Sequence, residues 1–150
     1  MRIVVTDVAR SNVEHEIGNA GRLETGGLLL GWRRPDLETI VVADATGPGR
    51  RARRSRHGLI LDTADLQDAV DRAFAASCGD VGYLGDWHVH HSSEPVASPI
   101  DAATARSIAT DPNVAVPEPV LLIVGRAGDG DLQWRGWVGR ELLSAHVEFA

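Results

Sequence analysis

Val81-Gly82-Tyr83-Leu84-Gly85-Asp86-Trp87-His88-Val89-His90 reads as a β-strand, and the architecture follows from what surrounds it. Strand alternation sends His88 and His90 to one face and Trp87 and Val89 to the other. Ser92 to Ala97 is polar and contains proline, so the chain leaves the strand there. Ser98-Pro99 then opens a helix with Ile100, Thr104 and Ile108 on one side. A loop over 110–119 carries three prolines, and Val120 to Val124 is almost wholly apolar, as in a strand covered on both faces. Leu132 to Val138 is its hairpin partner across Gly128-Asp129-Gly130.

Toward the N-terminus, Ile3-Val4-Val5 is a short β-branched strand. Ser11 with Glu14 makes a capping-box signal for a helix that turns Val13, Ile17 and Ala20 inward and stops at Gly21. Gly27 to Trp32 and Thr39 to Ala43 form a hairpin around the polar turn Arg33 to Glu38. From Gly47 to His57 the chain has Gly-Pro-Gly and then Arg50, Arg51, Arg53, Arg54 and Arg56, with no apolar period, which predicts a mobile loop. Gly58 to Leu61 can form a strand. Asp62 then caps a helix with Leu66, Ala69, Val70, Ala73, Phe74 and Ser77 at helical spacing. Leu142 to Phe149 reads equally as strand or helix. About seven strands and three helices in one domain over 1–150 imply an α/β fold, a mixed sheet with helices packed on it.

The bulk properties narrow the function classes. A length of 150 residues with 43% hydrophobic content supports one core. The net charge of −6 argues against a general nucleic-acid binder, which presents a basic face to phosphates. Cys78 is the only cysteine, so no intrachain disulfide forms, and it reads as a small packing residue. There is no apolar run of signal-peptide or membrane-span length, so the expected location is the cytoplasm, with no membrane partner. All fifteen basic residues are arginine, a bias expected of a GC-rich genome.

His88 and His90 share a strand face, so two imidazole nitrogens can converge on one ion. A third protein ligand would leave the fourth position of a tetrahedral zinc open, and Asp101 lies where the following loop turns into a helix. The bland reading competes with this: serine at the cap and an acid three residues on is ordinary helix-start grammar, and by itself it accounts for Ser98 and Asp101.

The order and spacing are more specific than the parts. Glu24, then His88-Val89-His90, then seven residues, then Ser98-Pro99-Ile100-Asp101 resembles the JAMM signature of the MPN+ zinc metalloproteases. Glu24-Thr25-Gly26-Gly27-Leu28-Leu29-Leu30-Gly31 and the leading Gly85-Asp86-Trp87 resemble it too, most closely in short prokaryotic members. The resemblance implies a cytidine-deaminase-like α/β sandwich, one zinc ion on His88, His90 and Asp101, Glu24 as general base and Ser98 as oxyanion stabiliser. It further implies cleavage after a ubiquitin-like or sulfur-carrier protein with a Gly-Gly tail, alongside activating and conjugating enzymes. Val89 departs from the usual serine or threonine, and His91 stands where proline is common; alternation points His91 away from His90. Asp86, on the histidine face, is placed to orient a ligand imidazole.

Two alternatives share these residues: an amidase that releases a small adduct from a carrier protein, and a non-catalytic MPN scaffold, against which the complete ligand set argues. A nucleoside deaminase needs a cysteine-based zinc set that one cysteine cannot supply.

Overall fold

The computed structural model describes residues 1–91, 94–127 and 130–150. In chain order it contains β1 (Arg2–Val5), α1 (Asp7–Ala20), β2 (Gly26–Arg34), a 3-10 turn (Pro35–Leu37), β3 (Thr39–Ala45), β4 (Arg53–Arg54) and β5 (Leu59–Ile60). Then follow α2 (Thr63–Ala76), β6 (Gly82–His90), α3 (Pro99–Thr110), β7 (Val120–Arg126), β8 (Leu132–Val138) and β9 (Leu143–Phe149). Seven strands pair in the order β1-β3-β2-β6-β7-β8-β9, and β9 also pairs in parallel with β1. The fold is the expected mixed α/β type; β4 and β5 form a separate small hairpin.

The core lies where α1 covers the sheet. Ala9, Val13 and Ile17 pack with Ile3, Val5, Leu29, Ile40, Val42, Trp87, Val89, Leu122 and Val124, all nearly inaccessible to solvent. Full burial of a branched aliphatic side chain stabilises by about 1.5–3 kcal/mol, so this layer is the chief source of fold stability. Every residue from Val120 to Gly125 is buried, as its apolar run implies, and β8 pairs with β7 in antiparallel register. Of the expected connecting turn, Gly128 and Asp129 lie outside the described residues, as do Ser92 and Ser93.

Several expectations are corrected. α1 begins before Ser11: Thr6 is its cap, accepting the Ala9 N–H at 3.3 Å, while Glu14 pairs with Arg10 one turn away. The Thr6 start has an acid, Asp7, in its first turn and lets the helix follow β1 without a loop. Cys78 is exposed at the turn that ends α2, where its φ is +55°, and so is not a packing residue. Phe74 is also exposed, and Leu66 alone in α2 is fully buried. The arginine segment, expected as a loop, contains the short strand β4 and makes defined contacts: Arg50 pairs with Asp65, the Arg51 N–H donates to Asp62, and Arg54 pairs with Glu16. The C-terminal ambiguity resolves to strand β9.

Two glycines allow strands to approach where the site is built. A Cβ on Gly26 would lie 2.3 Å from the Trp87 carbonyl oxygen, and one on Gly85 would lie 1.9 Å from that of Val120. Gly26→Ala is therefore expected to destabilise the protein by about 1–3 kcal/mol through overpacking of the β2–β6 pair. Urea unfolding measures this; a midpoint equal to that of the wild type would show that β2 has room to move away.

Candidate metal centre

The site forms at the carboxyl end of β6. This strand and β7 are parallel neighbours, so the chain between them must cross over, and α3 lies in that crossover. Carboxyl ends of parallel strands and the amino ends of the following helices meet on one side of such a unit, which is where open α/β sheets hold ligands. The local register shift between Leu29 and Leu30 accommodates an extra residue in β6, so Leu84 joins Trp87 and Val89 in the core. Beyond it, regular alternation turns Asp86, His88 and His90 to the other face.

α3 reaches this face in a phase different from that expected. Ile100 is 77% exposed, whereas Asp101, Ala105 and Ile108 form the inward stripe, with Ala105 fully buried. The spacing i, i+4, i+7 is still helical; the stripe is rotated by one residue, and this rotation delivers Asp101 to the histidines.

His88 Nε2 lies 3.0 Å from His90 Nε2 and 3.4 Å from Asp101 Oδ1, and the ligand atoms of all three lie within 4.8 Å of one another. Donors about 2.05 Å from one tetrahedral ion stand roughly 3.3 Å apart, so this set fits a zinc-sized cation. The capping reading and the metal reading divide Asp101 between its two oxygens. Oδ2 accepts the Ser98 N–H at 2.7 Å and Oδ1 faces His88, while Ser98 Oγ accepts the Asp101 N–H at 3.1 Å. A hydroxyl that accepts in this way keeps its own proton to donate. The helix cap thus orients the third donor.

Burial pushes the His88 imidazolium below its ordinary range; the Asp101 carboxylate acts against this, and His90 acts with it. The net effect favours the neutral imidazole, the form that ligates metals. Asp86 is partly buried beside it, and burial pushes its carboxyl up to about 6, partly offset by the hydrogen bond from Tyr83 Oη at 2.8 Å. Burial and the nearby Asp86 charge both raise the Tyr83 phenol. Alternation alone would separate residues three apart, and the bulge at Leu84 is what unites Tyr83 with Asp86. A cavity of about 130 Å³ lies beside Asp86, His88 and Asp101 and is also lined by Thr104, Ala105 and Leu121.

Glu24 lies outside the three-donor group. It is half-buried in the segment leading into β2, where Gly26 stands opposite His88 and the Val89 N–H donates to the Thr25 carbonyl at 3.0 Å. Continuing that antiparallel register sets the backbone of Glu24 alongside His90. His91 turns from the cluster and lies 2.8 Å through Nε2 from the Leu23 carbonyl oxygen. The contacts of Tyr83 with Asp86, and of Glu16 with Thr25 and Arg54, follow no recognisable sequence spacing and were not anticipated.

Residues 8–137 match the family described as prokaryotic homologs of the JAB domain. The chain belongs to that family. It is 31% identical over 151 residues to the probable metalloprotease y4qB of Sinorhizobium fredii, covering 94% of this chain and 90% of that protein. It is 34% identical over 122 residues to a CD-NTase/cGAS isopeptidase of Vibrio cholerae, covering 81% and 71%. An Escherichia coli protein of the same description is 33% identical over 121 residues, covering 79% and 68%. The solution structure of protein DSY2949 from Desulfitobacterium hafniense shares the fold, with a TM-score of 0.71 at 17% identity over 99% of this chain and 92% of the other. The chain is thus a JAB-type hydrolase, and these relatives carry the names metalloprotease and isopeptidase. The family implies a metal, and the His-His-Asp group is a place for one. Among the described residues, no helix is long and apolar enough to cross a membrane.

Proposed function

We propose that residues 1–150 form one catalytic domain that binds one zinc ion through His88, His90 and Asp101. In this reading it hydrolyses the peptide or isopeptide bond after the Gly-Gly tail of a ubiquitin-like protein. The observation that carries the proposal is the convergence of His88 Nε2, His90 Nε2 and Asp101 Oδ1 while the other Asp101 oxygen is occupied by the helix cap. The names of the relatives, metalloprotease and isopeptidase, support the bond type. An isopeptidase substrate also implies the activating and conjugating enzymes that attach such a protein.

When bound, zinc supplies Lewis acidity for the scissile carbonyl and a water that ionises near neutral pH. Glu24 takes the proton of the attacking water and delivers it to the leaving amine. Ser98, held by the Asp101 N–H, directs its hydroxyl proton at the carbonyl oxygen as that oxygen gains charge. His88 and His90 are fixed on a strand whose opposite face, with Trp87 and Val89, is core. An extended Gly-Gly tail has no side chains to clash with a narrow approach and can pair with a strand edge.

Ser98→Gly separates the two duties of that residue. Glycine is a tolerated helix cap, so stability should fall by only a few tenths of a kcal/mol, whereas loss of an oxyanion donor should reduce kcat by about 10²–10³-fold. A kcat within twofold of the wild type would assign Ser98 to capping alone.

The proposal as a whole is tested on a ubiquitin-like protein followed by a linear extension and, separately, by an isopeptide-linked lysine. Cleavage of either after the Gly-Gly tail, abolished by a zinc chelator and restored by added zinc, is the expected result. Cleavage of the linear form alone makes the reaction maturation; cleavage of neither, with a small glycine-linked amide cut instead, makes the enzyme an amidase.

A further inference from the structure

Five contacts converge on the segment 21–25 that carries Glu24. Arg126 Nη1 donates to the Gly21 carbonyl at 3.0 Å, and His91 Nε2 lies 2.8 Å from that of Leu23. The Glu24 N–H donates to the Ser55 carbonyl at 2.8 Å, and the Thr25 carbonyl accepts the Val89 N–H at 3.0 Å. The Thr25 hydroxyl donates to Glu16 Oε1 at 2.6 Å. Thr25 is fully buried, and the same Glu16 oxygen accepts from Arg54 Nη1 at 2.7 Å.

Two of these supports reach back to the arginine segment. Ser55 and Arg54 lie on the β4–β5 hairpin, which is closed by the Ser55 N–H donating to the Gly58 carbonyl at 2.9 Å. The other end of that hairpin is fixed to the start of α2: Arg50 pairs with Asp65 at 3.0 Å, and the Asp62 N–H donates to the Pro48 carbonyl at 2.9 Å. The hairpin therefore spans from the first turn of α2 to the segment bearing Glu24. Both side chains of the Glu16–Arg54 pair are mostly covered, so solvent screens it less than an exposed pair.

A base working on a positioned water is sensitive to placement, and a shift of about 1 Å can cost about 10²-fold in rate. We propose that Glu16, Thr25 and Arg54 are positioning residues for Glu24, with the Ser55 carbonyl as the backbone arm of the same clamp. The arginine-bearing hairpin is then part of the catalytic scaffold. This inference rests on the reading of Glu24 as the base.

Amide hydrogen exchange at Glu24, with steady-state hydrolysis of the fluorogenic amide Arg-Gly-Gly-aminocoumarin, tests it. Thr25→Val keeps the shape of the side chain and removes the hydroxyl; Arg54→Ala removes the cation; Thr25→Ser restores the donor. The first two are expected to speed exchange at Glu24 by at least tenfold and leave the amides of β7 unchanged. They should lower kcat by at least tenfold at an unchanged KM and zinc content, and Thr25→Ser should return both readouts to within threefold of the wild type. Unchanged Glu24 exchange in Thr25→Val and Arg54→Ala overturns the clamp, as does faster exchange with kcat unaltered. If Glu24→Gln itself hydrolyses at the wild-type rate, the failure lies instead with Glu24 as base, and the exchange data still stand by themselves.

Discussion

Glu24→Gln is expected to lower kcat by about 10²–10⁴-fold while leaving the bound zinc in place. The amide keeps the size and hydrogen-bonding reach of the carboxylate but cannot take a proton, and Glu24 is not one of the three converging donors. The backbone supports of this position, at Ser55 and through the neighbouring Thr25, do not involve the carboxylate, so the fold should be unaffected. Metal content by elemental analysis and single-turnover hydrolysis of a Gly-Gly fusion measure the two halves of this expectation. Loss of zinc in the variant would make Glu24 a ligand, and a wild-type rate would remove it from the chemistry.

Asp101→Asn should have an equally large effect on the metal and little on the fold. Asn keeps a carbonyl oxygen able to accept the Ser98 N–H, so the start of α3 survives, but it replaces the anionic donor that faces His88. Changing a residue that merely orients a ligand commonly costs 10–100-fold in metal affinity, so replacing the ligand itself should cost more than about 10²-fold. Asp101→Ala removes both functions and should also destabilise the protein by about 1 kcal/mol. Competition with a zinc-binding dye reports the affinity and thermal unfolding the stability. Equal zinc affinity in Asp101→Asn and the wild type would reduce Asp101 to a capping residue.

The candidate site was legible in the sequence because its grammar is local. His88 and His90 are two apart on a strand, and Ser98 and Asp101 three apart at a helix start, so periodicity alone gives each pair a common direction. The core was legible for the same reason: Val13 and Ile17 one helical turn apart, and the unbroken run from Val120 to Val124. Besides the start of α1 and the exposure of Cys78 and Phe74, three features around the site escaped. The helix phase at Ile100 could not be read, because an apolar residue beside the cap looks like core until the partner sheet is known. The bulge at Leu84, which unites Tyr83 with Asp86, is imposed by the pairing of β6 with β2. The contacts of the arginine segment depend on Glu16, Asp62 and Asp65, two of them inside helices, and no spacing rule links them to Arg50–Arg54.

The measurement that bears most directly on the central claim is the zinc content of protein purified without added metal or chelator, followed by titration with zinc. One ion per chain, absent from His88→Ala, is the expected result. No zinc as purified and none taken up on titration would contradict the account, leaving a capped helix beside two ordinary histidines.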